Sequence, residues 1–342
     1  MQKIIHNTLN YILKTKRTTS TLFQVLKTSA FLLLICVFSC QNSSKVEKEI
    51  SEIKLDLNIE RFDQLFATST PSDLPALKQN YPFLFSKRYA DSVWVQRMSD
   101  PIQQLQNRAV DSVFKDFSST ESEIFNFYQH LKYYNKALKT PRLITVLSDV
   151  DYRNKVVVTD SIVLIALDTY LGEDHEFYAS FYGYIKQNLN KNQIVSDLAT
   201  AYAERLIYQP KRSMLLEEMV YFGKQLYLKD LLIPFKENNE KIGYSLAQYE
   251  WAEDNEFYIW QYLVEKQLLY ETDQKLRSRF ILPAPFSRFN LELDSESPGR
   301  LGQYMGWKII KSYMENNSTP LLKMLHMEAT EIFNNAKFKP KK

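Results

Sequence analysis

The chain has 342 residues, 22 tyrosines, 21 phenylalanines and 4 tryptophans, but only seven glycines and two cysteines. Its net charge of +3 is local in origin: the first 40 residues hold five of the 43 basic residues and no acid, so the remainder is slightly negative. A near-neutral body offers no electrostatic footprint for nucleic acid, and with both cysteines inside the first 40 residues it has no disulfide, thiol nucleophile or cysteine metal site.

After a basic stretch the run Ala30 to Phe38 is apolar. It is far shorter than the roughly 20 residues that span a bilayer, so it reads as the apolar region of a signal segment. Val37-Phe38-Ser39-Cys40 follows the pattern in which a small residue precedes a lipidated cysteine, and the polar stretch after Cys40 suits a tether. The expected organisation is a signal segment over 1–39, a lipidated tether over 40–51 and one mature domain over 52–342.

Ile53 to Ile59 alternates apolar and polar residues, as a half-buried strand does. Pro71 to Asn80 reads as a short helix, broken at Tyr81-Pro82-Phe83. A long helix is expected from Ser92 to about Asp116 with a bend near Pro101, then another opened by a Thr120/Glu123 capping box. Three β-branched runs follow, Arg142 to Ser148, Lys155 to Thr159 and Ser161 to Leu167, with Asp149 to Asn154 suited to a hairpin turn. Helical periodicity then dominates, over about 192–207, 213–230, 245–269, 272–279, 298–316 and 320–335. The fold class is α+β, predominantly helical, with helices around a small antiparallel sheet.

Gly299, Gly302 and Gly306 fall at offsets of three and four, on one side of a helix that Ser297-Pro298 would start. Each interior glycine costs a helix about 1 kcal/mol relative to alanine. Three together imply a close approach to the backbone: a seam for a neighbouring helix, or a groove for a ligand with Glu296, Arg300 and Tyr304 near its mouth. The aromatics around Trp251 and Trp260 read as core or as a binding surface.

No catalytic set emerges. His175-Glu176-Phe177-Tyr178-Ala179 carries alanine where a zinc helix needs its second histidine, and neither a G-x-S-x-G elbow nor a phosphate loop is present. Carboxylates cluster at Glu173/Asp174/Glu176, Glu217/Glu218 and Glu250/Glu253/Asp254/Glu256, a pattern that suits solvated helix ends. Glu204 and Arg205 sit on a small-residue helix and suit an internal ion pair.

The segments ALDTYLGEDHEFY (166–178) and AQYEWAEDNEFYIWQYLVEKQLLYETDQKLRSRFILPAPFSRFNLELDSESPGRLGQYMGWKIIKSYM (247–314), with IERFD at 59–63 and the cysteine motif ending at Cys40, resemble the gliding motility lipoprotein family GldB of the Bacteroidetes. The resemblance implies a lipid-anchored membrane protein required for surface gliding, working beside other gliding lipoproteins and membrane proteins, with no established cofactor or reaction. Gln41, rather than an acid, after Cys40 favours the outer membrane over the inner one, with the periplasmic face expected and the exterior face the alternative. The 247–314 segment is also distantly similar to a family of zinc peptidases in which a HExxH helix precedes a comparable glycine-rich helix, but the equivalent helix here, Ile194 to Tyr208, carries no histidine. That implies a peptidase-like scaffold without its metal motif: no cofactor, no catalytic residue, and a role as a non-catalytic stabiliser. The alternatives are a degenerate hydrolase built on Glu204 or Glu296, and a peptide-binding module using Gly302, Arg300, Tyr304 and Trp251.

Overall fold

The computed structural model describes residues 45–292 and 294–342, so the expected signal segment and Cys40 lie outside the described residues. The chain divides into two units, Met1–Lys54 and Leu55–Lys342. In the first, residues 45–51 are helical where a tether was expected. All that follows concerns the second unit.

Strand β1 (Ile59–Glu60) leads into α1 (Phe62–Thr68), α2 (Leu74–Asn80), α3 (Asp91–Ser99), α4 (Pro101–Val113) and α5 (Ser118–Tyr134). The long helix expected from Ser92 is two helices. Proline removes a backbone donor and pushes the preceding residue out of the helical region. Asp100 is accordingly extended and caps α4, accepting from Ile102 N at 2.7 Å. The expected Thr120 cap is likewise absent, because the helix already starts at Ser118.

Strands β2 (Arg142–Val146), β3 (Val156–Val158) and β4 (Ile162–Ala166) complete a sheet ordered β1-β2-β4-β3. The sheet is mixed rather than antiparallel throughout: β2 runs parallel to β1 and β4, and only β3 is antiparallel to β4. Asp149 to Asn154 therefore does not close a hairpin; the hairpin is β3–β4, closed where Thr159 N donates to Ile162 O at 2.8 Å. Of the expected strand Ile53 to Ile59, only its last residue enters the sheet. Side chains alternate across the faces. Leu143, Val163 and Ile165 face the larger core, while Ile144 joins Phe62, Phe66, Leu74, Leu77 and Phe85 in a smaller one.

The helical remainder comprises α6 (Gly183–Lys186), α7 (Ile194–Leu206), α8 (Leu215–Leu232), α9 (Asn238–Ile242), α10 (Leu246–Asp254), α11 (Glu256–Glu265), α12 (Gln274–Phe280), α13 (Leu301–Asn316), α14 (Leu321–His326) and α15 (Ala329–Ala336). Helices α8 and α13 are buried along most of their circumference, as central helices are. They cross where Gly223 and Gly306 meet, and α13 also packs against α15. The glycine trio is thus a seam: a Cβ at Gly306 would lie 1.7 Å from Met219 O, one at Gly299 2.3 Å from Ala284 O, and one at Gly302 2.9 Å from Phe280 O.

The expected Ser297-Pro298 helix start is displaced to Leu301. Ser297 Oγ donates to Asp294 O (2.7 Å) and Ser287 O (3.1 Å), which commits its hydroxyl to the preceding loop instead of the helix amides. Arg300 takes the N-cap position in the left-handed region, φ 62°, which disfavours a residue with a Cβ. Among the described residues no helix is long and apolar enough to cross a membrane.

Candidate functional site

A cleft of about 260 Å³ opens where α7, α8 and the start of α13 converge. Asp197, Thr200 and Glu204 line it from α7, and Phe222, Gln225, Leu226 and Lys229 from α8. Both sets follow helical spacing, so each helix turns one stripe to the cleft. Lys155, the residue before β3, forms part of the wall, with Gly243, Arg300 and Gln303 opposite. A larger hollow of about 710 Å³ lies between α1 and α4, with Arg61 and Asp63 paired at 2.7 Å and Arg108 and Asp111 also in its wall; the α7–α8–α13 cleft is the more informative site because it holds a buried side-chain donor without a partner.

Most of the charge in this cleft is already engaged. Asp197 forms an ion pair with Lys155 and accepts from the Tyr170 hydroxyl at 2.9 Å. Lys229 Nζ donates to Lys241 O at 2.8 Å and Ser196 Oγ at 2.9 Å. Burial pushes the Lys229 ammonium down to about 7, with Arg300 and Lys155 acting in the same direction and the Asp197 and Glu204 carboxylates opposing. Arg300 Nη2 donates to Gly243 O at 2.8 Å, and its guanidinium lies 5.3 Å from the Tyr244 ring centroid. Burial lowers the Arg300 pKa. Glu204 stands at the exposed mouth, its carboxyl pKa raised by partial burial. Glu204 and Arg205 do not act as a unit, since Arg205 pairs with Asp160.

Ser196 beside Lys229 has the composition of a serine–lysine dyad, in which a neutral amine activates a hydroxyl. Here the hydroxyl is sealed: Ser196 is 1% exposed, is absent from the cleft wall, and donates to Glu240 O at 3.2 Å. Its place between α7 and α9 is that of a packing contact.

Of the residues singled out in the sequence, Arg300 and Glu204 line this cleft and the others do not. Tyr304 is fully buried beneath the helix crossing, donating to Glu256 Oε2 at 3.0 Å. Gly302 faces Phe280 and Ile281 in the packing seam. Trp251 is half-buried against the main core, and Glu296 is exposed in the turn Asp294–Glu296. Sequence reasoning missed Lys155, Asp197, Gln225 and Lys229. One signal was legible: Gln225 and Lys229 interrupt the buried stripe of α8, in register with Phe222 and Leu226. A charge there needs a partner or a cavity.

Among the described residues no three His, Cys, Asp or Glu side chains gather as metal ligands. The family model for gliding motility protein GldB matches residues 43–340. The chain belongs to the GldB family. No curated protein and no solved structure matches it at a significant level. Membership assigns it a role in gliding motility.

Proposed function

We propose that the protein is a lipid-anchored, non-catalytic component of the gliding machinery, tethered through Cys40 to the periplasmic face of the outer membrane, where it stabilises other envelope components. The observation that carries the non-catalytic part is that the cleft's buried titratable groups are engaged within the protein. Asp197 is held by Lys155 and Tyr170, Lys229 by Ser196 and a backbone carbonyl, and the nearest hydroxyl nucleophile is sealed away. A general base needs a free lone pair aimed at a substrate proton; Asp197 spends its lone pairs internally, which leaves Glu204, at the exposed mouth, as the carboxylate to test. The anchoring part is supported by the apolar run ending at Cys40 and the polar stretch after it.

Anchoring is tested by Cys40→Ser in cells lacking the native gene. The variant is expected to leave the membrane fraction and to lose surface spreading, while the wild-type chain restores both. A Cys40→Ser protein that stays membrane-bound and supports gliding would contradict the proposal.

A further inference from the structure

Three side chains that carry hydrogen-bond donors, Gln225, Lys229 and Arg300, line the α7–α8–α13 cleft. Gln225 is 4% exposed, lines the cleft, and its side-chain amide nitrogen has no hydrogen-bond partner. A buried donor left without a partner is costly, so its presence beside a cavity points to an acceptor that the cavity takes in. Arg300 carries a planar fork of N–H donors, of which Nη2 meets Gly243 O. It holds that position from a left-handed backbone, a conformation that persists where the surroundings over-determine it. Lys229 lies on the same wall, its Nζ donating to Ser196 Oγ and Lys241 O.

Among the described residues no carboxylate forms an ion pair with Arg300. Asp197 is matched by Lys155 and Tyr170, and Glu204 stands at the exposed mouth. An anionic, acceptor-only group at the inner end would supply the missing countercharge and receive the Gln225 amide. A carboxylate matches the guanidinium fork, because two parallel N–H···O bonds require a planar pair of acceptors.

We propose that this cleft is a binding site for a carboxylate-bearing ligand, received by Arg300 and Gln225 with Lys229 beside them. The carboxylate can come from the free C-terminus of a peptide segment or from a small organic acid, both of which present the same planar anion. This goes beyond the anchoring role and is independent of it, since a binding site and a lipid tether fail separately.

The test is calorimetric titration of the full chain in detergent with four probes: N-acetyl-trialanine, the same peptide with an amidated C-terminus, succinate, and inorganic phosphate. Binding of the free-acid peptide but not its amide supports the proposal with a chain terminus as the source. Binding of succinate without the peptide supports it with a small acid as the source. Binding of phosphate alone, equal binding of the acid and the amide, or no binding at all overturns it. Arg300→Gln and Gln225→Leu are each expected to weaken the carboxylate by about tenfold or more, the scale of a lost charge-assisted contact. Arg300→Lys, which keeps the charge and loses the fork, should recover part of the affinity and reports on the fold, with wild-type circular dichroism as the check. Unchanged affinity in a folded Arg300→Gln protein would overturn the assignment.

Discussion

Gly306→Ala is expected to destabilise the protein by at least about 3–4 kcal/mol, and to leave it largely insoluble when expressed at 37 °C. The added methyl would sit 1.7 Å from Met219 O and 2.4 Å from Met219 C, both backbone atoms of α8. A flexible side chain could yield; a helix backbone moves only by separating α8 from α13 along their length. Gly223 faces the same crossing from the other side, where an added methyl would lie 2.3 Å from Gly306 C and O. Parting the two helices would also disturb the fully buried Trp307, whose indole nitrogen donates to Asp230 Oδ2 at 2.7 Å. Urea unfolding monitored by tryptophan fluorescence would measure the loss. A fall of less than about 1 kcal/mol, within the range of ordinary substitutions, would mean that the helices do not touch at these glycines.

Asp168→Ala is expected to cost about 3–5 kcal/mol, with Asp168→Asn closer to wild type. Asp168 is fully buried. Its carboxylate accepts from Val150 N at 2.7 Å and Ser148 N at 3.0 Å, with the Ser148 hydroxyl at 3.3 Å. Those amides belong to the turn leaving β2, where Asp149 (φ 56°) and the β-branched Val150 (φ 61°) are both left-handed. Such a conformation is a steric outlier for valine and needs a brace. Alanine removes the brace and orphans the donors; asparagine keeps one acceptor oxygen. Burial raises the Asp168 pKa, the donors to the carboxylate opposing it, and this residue is structural although its environment resembles that of a catalytic acid. Equal stability of the alanine and asparagine variants in urea would refute the bracing role.

The helices were legible because their apolar spacing is local information. The sheet's pairing was not, because it depends on which strand lies between two others. A clue was present all the same: Ile144 and Leu143 in β2, like Val163 and Ile165 in β4, belong to near-continuous apolar runs, the mark of central parallel strands buried on both faces. The short run at Val156–Val158 is the edge. The Asp149 to Asn154 turn signal was real, but its turn is held by Asp168, 18 residues beyond Val150, and does not join neighbouring strands. The glycine seam was readable from spacing alone. The Ser297 cap was not, because a tertiary partner, Ser287 O, competes for the hydroxyl. The cleft was the least legible part. Its wall is assembled from Lys155, Asp197, the pair Gln225 and Lys229 on α8, and Arg300, segments far apart in sequence that the packing of α7, α8 and α13 brings together.

The non-catalytic reading is tested most directly at Glu204, the carboxylate at the mouth of the cleft whose raised pKa makes it the best acid–base candidate there. The measurement is colony spreading and single-cell gliding of a strain whose only copy of the gene carries Glu204→Gln, with the variant's abundance checked in the membrane fraction. The account predicts gliding indistinguishable from wild type. Loss of gliding at wild-type abundance would contradict it and would assign the cleft a chemical step.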